Sequence, residues 1–409
     1  LIFHSQGNIS EAAKYYQYFI NQGFKDHRVF SNYGVILKNL GKLKEAEISF
    51  RTAMQLNPHI AEVHSNLGII LKDLGKLKEA FIALRKAIKI NPNFSKSYYF
   101  LSTLTSVNNE DIIWKKTLLS NTFLKNKSKK DQIYIYFARA NLLHKEKNYK
   151  ESAKSLILAN NLKLDLKQSN PHILINNSKA LLIESNFKKT NQKVYKKCPE
   201  SIFIVGMFRS GTTLSESILG MNKNVYCLGE DNILEESFLD GKASKQDMNI
   251  AELYWVKVNQ KTQLNITTNK WLFNYQYAGI IAGQIPNAKI IHCYRNPLDN
   301  ILSIYRAHFA KGNVYSSSLI DCAKVYLDQE EVMTKYKKRF KSTIYNFNYD
   351  SLVSNPNKEI KSLIDWLGWE WNDLYLSPHL NPRSVSTASN IQVRSPITSK
   401  SLGVWKNYK

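Results

Sequence analysis

The residues best suited to do chemistry lie between Ile202 and Glu230, in the stretch IFIVGMFRSGTTLSESILGMNKNVYCLGE. Arg209 offers a planar fork of donors to a tetrahedral oxyanion, Ser210, Thr212 and Thr213 add hydroxyls, and Gly206 and Gly211 let the backbone come close. Such groups need elements that converge on one point. Ile202 to Val205 is a continuous apolar run of the kind a buried parallel strand shows, Gly206 to Gly211 reads as a loop, and Thr212 onward has helical spacing with Leu214, Ile218 and Leu219 on one side. A strand, loop and helix in that order aim the loop N–H groups and the helix N-terminus at one spot, and both favour an anion. A Walker A loop would read GxxxxGK followed by Ser or Thr, with the Lys on the β/γ phosphates and the hydroxyl on magnesium. Here the glycine spacing is kept but Thr212 stands in the Lys position, and the charge sits inside the loop at Arg209. That pattern suits a terminal sulfate or phosphate held without a metal and argues against an ordinary ATPase or GTPase. A Gly-rich turn that binds nothing is the plainer alternative; Arg, Ser and two Thr within one turn argue against it.

The segment VGMFRSGTTL resembles the 5′-phosphosulfate loop of sulfotransferases that use 3′-phosphoadenosine 5′-phosphosulfate, PAPS. Within that family it resembles tyrosylprotein sulfotransferases and bacterial proteins that join tetratricopeptide (TPR) repeats to a sulfotransferase domain. The family usually has Pro where this chain has Phe208, a departure that bears on loop stiffness. The resemblance runs from Ile202 to Tyr408, and it implies that Arg209, Ser210, Gly211, Thr212 and Thr213 hold the sulfate end of the donor. It makes Glu230, after the short apolar segment Val225 to Leu228, the catalytic base. The chemistry asks for such a group, because a hydroxyl acceptor must lose its proton as it attacks sulfur. The competing reading places Glu230 with Asp231, Glu235 and Glu236 at an acidic helix start.

In TTNKWLFNYQY the NK pair resembles the family's and implies that Lys270 lies on the bridging oxygen, offsetting charge on the leaving phosphate. Without the resemblance a surface lysine would be the better reading. Asn287 to Arg295 is the second clear strand, followed by Asn296 as an N-cap, Pro297 at the first helical position and a helix through Phe309. YRNPLDNILSIY resembles the family's 3′-phosphate site, carried by Arg295 and by Ser303, about two turns into the helix. Two phosphate-type sites imply one ligand with phosphates at both ends. Tyr345 to Tyr349 reads as a strand, and YDSLVSNP resembles the family's YExLVxxP, whose Tyr, here Tyr349, lies near the nucleotide. Ser351 to Trp369 reads as one helix with Leu352, Ile360, Leu363, Ile364 and Leu367 facing a core. The Ser/Thr-rich end, SVSTASNIQVRSPITSKSLGVWKNY, suits an ordered lid anchored by Val393, Ile397, Val404 and Trp405. By likeness Ser389 contacts the transferred sulfate.

The first hundred residues repeat. GNISEA at Gly7 and GKLKEA at Gly41 and Gly75 recur every 34 residues, as do Asn57-Pro58 and Asn91-Pro92, which is the TPR period. Gly34, Ala46, Phe50, Ala53 and Pro58, then Gly68, Ala80, Leu84, Ala87 and Pro92, fill the positions where two antiparallel helices cross closely and the second one stops. The first unit is irregular, with Phe19 and Phe24 where the later ones have Ala and Pro. Asn32 and Asn66, with Lys38 and Lys72, either line a concave peptide-binding groove or are solvated copies carried along by duplication, the plainer reading. From Thr103 to Glu200 the pattern loosens. NYKESA at Asn148 to Ala153 joins the helix-spaced runs Tyr134 to Leu143 and Ala153 to Leu164, so degenerate hairpins with an exposed loop at Lys125 to Lys130 are expected, and Lys188 to Lys197 as the linker.

A net charge of +24 over 409 residues suits an anionic partner, although Lys is abundant everywhere. No nucleic-acid-binding signature accompanies it and no apolar run reaches membrane-span length. The four cysteines are scattered without a CxxC, which makes a reducing cytoplasm the default. Opening on Leu1 inside a repeat and stopping at Lys409, the chain reads as a piece of a longer protein that lacks upstream repeats and a terminal helix. The expected architecture is a TPR α-solenoid over 1–107, degenerate hairpins and linker over 108–199, and a P-loop-like parallel-sheet domain over 200–409. The expected activity is sulfuryl transfer from PAPS to a hydroxyl, with the arginine and lysine supplying positive charge in place of a metal. A kinase-like enzyme would instead need magnesium and show no preference for a 3′-phosphate; a non-catalytic TPR adaptor would bind nucleotide without turnover. The acceptor stays open among a protein tyrosine, to which both the family likeness and the TPR groove point, a glycan and a small alcohol.

Overall fold

A computed structural model describes residues 2–104, 112–187, 198–243, 248–309, 313–385 and 387–409; the expected linker at Lys188 to Lys197 lies outside them. The chain divides into two compact units, Leu1–Leu166 with Pro382–Ile391, and Lys167–Asn381 with Gln392–Lys409.

The first unit is helical: α1 (Ile2–Ser5), α2 (Ile9–Asn21), α3 (His27–Asn39), α4 (Leu43–Leu56), α5 (Ala61–Asp73), α6 (Leu77–Ile90), α7 (Ser95–Leu104), α8 (Ile112–Leu119), α9 (Lys129–Lys145) and α10 (Tyr149–Leu166). Pairs α3/α4, α5/α6 and α9/α10 pack as hairpins. The repeated residues explain the packing. A Cβ on Gly34 would stand 3.0 Å from the Phe50 ring, and one on Gly68 2.7 Å from Leu84 Cγ, so glycine is what lets each pair of helices close. Ala46, Phe50, Ala53, Ala80, Leu84 and Ala87 are wholly buried at those crossings. In the irregular first repeat Phe19 and Phe24 pack ring to ring at 5.3 Å. The expectation that Asn66 and Lys72 are solvated copies does not hold. Asn66 is buried with its Oδ1 accepting from Lys96 Nζ at 3.1 Å, and Lys72 pairs with Asp73 at 3.2 Å and lies over the Phe100 ring. Pro382–Ile391 joins this unit on α5, where Val385 N–H donates to the Asp73 carbonyl at 3.0 Å and Asn390 Nδ2 to the Asp73 carboxylate at 2.7 Å.

The second unit opens with α11 (His172–Phe187), which packs on α15 and α17 described below, and continues β1 (Glu200–Val205), α12 (Thr212–Leu219), β2 (Val225–Cys227), α13 (Ile233–Ala243), α14 (Ile250–Asn259), β3 (Ile266–Asn269), α15 (Ala278–Gln284), β4 (Ala288–Tyr294), α16 (Pro297–Tyr305), α17 (Leu319–Arg339), β5 (Ile344–Asn348), α18 (Tyr349–Ser354) and α19 (Pro356–Leu367). The strands form one parallel sheet in the order β2-β3-β1-β4-β5, with β1 in the middle. Side-chain alternation accounts for the unbroken apolar run in β1. Phe203 and Val205 enter a core with Tyr254, Ile281 and Met333, whereas Ile202 and Ile204 enter one with Ile218, Leu363 and Ile364 on the other face.

Three element boundaries differ from the sequence expectation. The helix after Pro297 ends at Tyr305, where Ala307 N–H turns back to the Ile304 carbonyl. The expected strand Tyr345 to Tyr349 is Ile344–Asn348, because the Asn348 side chain caps α18 and makes Tyr349 helical. The single helix expected from Ser351 to Trp369 is broken at Asn355, since Pro356 has no N–H to continue α18 and instead opens α19. No helix among the described residues is long and apolar enough to cross a membrane.

Candidate active site

Each strand delivers its candidate residues just past its carboxyl end. Val205 runs into Gly206 to Gly211, Cys227 leads to Glu230, Asn269 is followed by Lys270, Tyr294 by Arg295 and Asn348 by Tyr349. In an open parallel sheet that edge is where ligands bind.

The loop after β1 is shaped by two glycines. Gly206 sits at φ +149 where a side chain would collide with the Cys293 carbonyl, and Gly211 at φ +100 where one would stand 2.5 Å from Tyr349 Cδ2. Arg209, at φ +68, holds a left-handed conformation that costs a non-glycine residue about 1–3 kcal/mol. Ser210, Thr212 and Thr213 are buried, and Ser210 Oγ carries no hydrogen bond among the described residues. Arg295 Nε is likewise buried without a hydrogen bond. Buried donors are satisfied as a rule, so an orphaned hydroxyl in a glycine cradle at a helix N-terminus fits an oxyanion as its partner; Arg295 Nε, by contrast, already faces the Asp350 carboxylate at 3.9 Å.

Glu230 and Lys270 meet across the ends of β2 and β3. Lys270 Nζ lies 2.7 Å from Glu230 Oε1, with the lysine side chain 1% exposed and the glutamate 33%. The backbone fixes the pair, since Lys270 N–H donates to the Gly229 carbonyl at 2.8 Å. Beneath it, wholly buried Glu216 on α12 accepts from Gly229 N–H at 3.1 Å and from the Thr268 hydroxyl at 3.0 Å. The helix that begins at the anion-type loop therefore also holds the strand ends bearing the carboxylate and the cation.

Arg295 is held from several sides. Its guanidinium donates to the Ser401 carbonyl and, at 3.5 Å, to the Arg209 carbonyl, lies 4.8 Å from the Tyr349 ring centre and stands 3.9 Å from Asp350. Tyr349 hydroxyl and Ser401 Oγ are 2.8 Å apart. Ser303 meets Arg209: its Oγ accepts from Arg209 Nε at 3.1 Å, and Arg209 also donates to Gln392 at 2.8 Å. The residues expected at opposite ends of a ligand thus share one basic cluster through Arg209. Ser389 is carried by Pro382–Ile391 in the first unit, in a turn where its N–H donates to Thr387 Oγ1 at 3.2 Å; the other candidates belong to the second unit.

Several participants escaped the sequence reading. Asp299 accepts from the N–H groups of Gly403 and Trp405, at 2.6 and 3.0 Å, and so fastens the C-terminal segment on α16. Asp350 faces Arg295 and accepts from Asn296 N–H at 2.7 Å. Both looked like ordinary first-turn helix acids, and nothing local separates that role from these. Glu216 sat on a helix face with no charged partner nearby in sequence. No group of His, Cys, Asp and Glu among the described residues is arranged to hold a metal ion.

Comparisons with known proteins follow the same division. Residues 199–373 match the Sulfotransferase family, and 27–60 and 61–94 each match the Tetratricopeptide repeat. An uncharacterized protein of Aquifex aeolicus (strain VF5) is 31% identical over 232 residues, which cover 51% of this chain and 30% of that protein. Protein-tyrosine sulfotransferase 1 of Danio rerio is 25% identical over 203 residues, covering 45% of this chain and 57% of the enzyme. The chain therefore spans about a third to just over half the length of these curated relatives. Among solved structures, the sulfotransferase domain of the Synechococcus PCC 7002 olefin synthase aligns with 53% of this chain and 91% of its own, at 18% identity and a TM-score of 0.40.

Proposed function

Proceeding from a chain that joins tetratricopeptide repeats to a sulfotransferase-family domain, we propose that it transfers a sulfuryl group from PAPS to a hydroxyl acceptor. The observation that carries this reading is the glycine cradle after the central strand, where Ser210 Oγ is buried with no hydrogen bond among the described residues and the Arg295 guanidinium reaches the Arg209 carbonyl from the end of the neighbouring strand. PAPS brings an activated sulfuryl group on a phosphate anhydride and a second phosphate at the 3′ position. The loop N–H groups with Ser210, Thr212 and Thr213 bind the sulfate end. Arg295, with Tyr349 under its guanidinium, binds the 3′-phosphate, and Arg209, bonded to Ser303, spans the two. Ser389 is assigned to the transferred sulfate on likeness alone.

Glu230 takes the acceptor proton at its carboxylate. That proton cancels the charge that neutralised Lys270 2.7 Å away, so the buried ammonium gains full effect on the leaving oxygen as negative charge develops there. General base and electrophile are in this way coupled through one ion pair.

A protein tyrosine is the acceptor this reading favours. The name of the Danio rerio relative supports it, as do the half-buried rings of Trp271 and Phe273, 5.4 Å apart, that follow Lys270, with Phe208 6.0 Å from Phe273. Calorimetric titration with adenosine 3′,5′-bisphosphate and with ADP, in the absence of magnesium, tests the donor site on wild type and Arg295→Ala. Tight binding of the bisphosphate, weak binding of ADP and loss of that preference in the variant are expected. Equal or absent binding of the two nucleotides by the wild type would sink the reading.

A further inference from the structure

We propose that Glu216, on the helix that follows the donor loop, is a positioning residue that sets Glu230 and Lys270 against that loop; this rests on the reading of Glu230 as the base and Lys270 as the electrophile. All three residues belong to the second unit. Glu216 lies four residues after Thr212 in α12, about one turn on and therefore on the same helix face. Its neighbour Ser217 bonds back to its own helix at the Thr213 carbonyl, 2.9 Å away, as a helical serine commonly does. The longer Glu216 side chain reaches instead to the sheet, where its Oε1 accepts from Gly229 N–H at 3.1 Å and from Thr268 Oγ1 at 3.0 Å. Gly229 immediately precedes Glu230, and Thr268 is separated from Lys270 by Asn269 alone. One carboxylate oxygen thus ties the donor helix to both strand ends that carry the reacting pair.

The turn that bears Glu230 has little freedom while these bonds hold. Gly229 takes a left-handed φ of +70, its N–H goes to Glu216, and its carbonyl accepts from Lys270 N–H at 2.8 Å. Past Glu230, the Asp231 carbonyl accepts from Asn269 Nδ2 at 2.9 Å. The strand that leads into the turn, β2, is three residues long and stands at the edge of the sheet, so its ladder alone is a weak hold. Glu216 is wholly buried, and a buried carboxylate is costly unless donors meet it, so the side chain stays where Gly229 and Thr268 supply them. Removing it takes this acceptor from the wholly buried Thr268 hydroxyl and from the turn, and frees Glu230 and Lys270 to move relative to the cradle. A displacement of reacting groups by about 1 Å is enough to cost about 10²-fold in rate.

The test compares wild type, Glu216→Gln, Glu216→Ala, Thr268→Val and Glu216→Ala combined with Glu230→Gln, all as the full chain. Sulfuryl transfer from PAPS to N-acetyltyrosinamide is split into kcat and KM for PAPS, and bisphosphate affinity is taken by calorimetry. Independently of activity, mass spectrometry follows how fast an amine-reactive reagent labels Lys270, with Lys289, held by Glu200 and the Leu367 carbonyl, as the reference. Glu216→Ala is expected to lower kcat about 10²-fold, with KM for PAPS and bisphosphate affinity within about threefold of wild type. It should label Lys270 at least about fivefold faster and leave Lys289 unchanged. Glu216→Gln keeps an oxygen acceptor for both donors and recovers most of the lost kcat, while Thr268→Val, which loses one of the two bonds, falls between. With Glu230 already replaced by Gln, Glu216→Ala should cost less than about threefold more, because it acts through that residue. Wild-type kcat and Lys270 labelling in Glu216→Ala overturn the proposal. So does an equal rise at Lys289, or a Gln variant as impaired as the Ala one, since either assigns Glu216 to general stability. A wild type that neither binds bisphosphate nor transfers sulfate overturns the reading of the site, and faster labelling of Lys270 alone in Glu216→Ala would then still support the tie.

Discussion

At the scale of single residues, the proposed base Glu230 and the proposed electrophile Lys270 share one contact of 2.7 Å. Replacing Glu230 by Gln keeps a hydrogen-bond acceptor for the buried ammonium but removes the base. Bisphosphate affinity should stay within about twofold of wild type while turnover falls about 10²- to 10⁴-fold, measured by calorimetry and by sulfate transfer from PAPS. Wild-type turnover in that variant would remove Glu230 from the mechanism. Because both residues act as one unit, Glu230→Gln with Lys270→Met should cost little more than the worse single change. Gly211 poses a steric question instead. Its φ of +100 and the Tyr349 ring 2.5 Å from any added Cβ mean that Gly211→Ala must push away the ring on which Arg295 lies, so bisphosphate affinity should drop at least about tenfold.

At the scale of elements, the helix crossings and the sheet each carry a prediction. Gly68→Ala places a methyl 2.7 Å from Leu84 Cγ in a closely packed hairpin, and should destabilise the first unit by about 1–3 kcal/mol in urea unfolding. A neutral or stabilising result would show that α5 and α6 can separate at no cost. In the sheet, His292 on β4 is wholly buried among Gln329, Glu330 and Lys337. Burial, aided by the Lys337 ammonium and opposed by Glu330, holds its pKa below the ordinary 6.5. The unfolded chain therefore takes up a proton near pH 6.5 that the folded chain refuses. Stability from this residue is present above that pH and is lost as the pH falls through 6.5 toward the depressed value. The urea midpoint of the second unit should decline between pH 7 and 5.5, and the decline should be shallower in His292→Gln. The sequence exposed these elements clearly where pattern is local: the continuous apolar run of β1, the duplicated glycines and alanines, the Asn296-Pro297 start of α16. It misjudged the stretch from Ser351 to Trp369, because apolar spacing continues smoothly across Asn355 while the missing N–H of Pro356 decides where α18 ends.

At the scale of the whole molecule, the chain carries a net charge of +24, and its proposed ligand is trianionic or tetraanionic. Such a field accelerates encounter more than it strengthens the bound state. Raising salt from about 0.05 to 0.5 M, which shortens the Debye length from more than 10 Å to less than 5 Å, should lower the bisphosphate association rate several-fold and leave dissociation nearly unchanged in stopped-flow measurements. An equal effect on both rates would assign the sensitivity to the contacts of Arg209 and Arg295 rather than to the general field.

What the sequence by itself determined is whatever depends on neighbours along the chain: repeats at a fixed interval, a strand feeding a glycine loop and a helix, and candidate residues just after apolar runs. The tertiary structure alone decided which of those residues meet. Parallel strands pair segments far apart in the chain, so no local pattern could bring Lys270 to Glu230, join Arg209 to Ser303, or give Glu216, Asp299 and Asp350 their partners. The same holds for Asp73, whose departure from its repeat copy is visible in the sequence, while the amide that donates to it comes from Asn390, more than three hundred residues away. Periodicity encodes how an element folds; long-range register encodes what it touches, and function resides in the second.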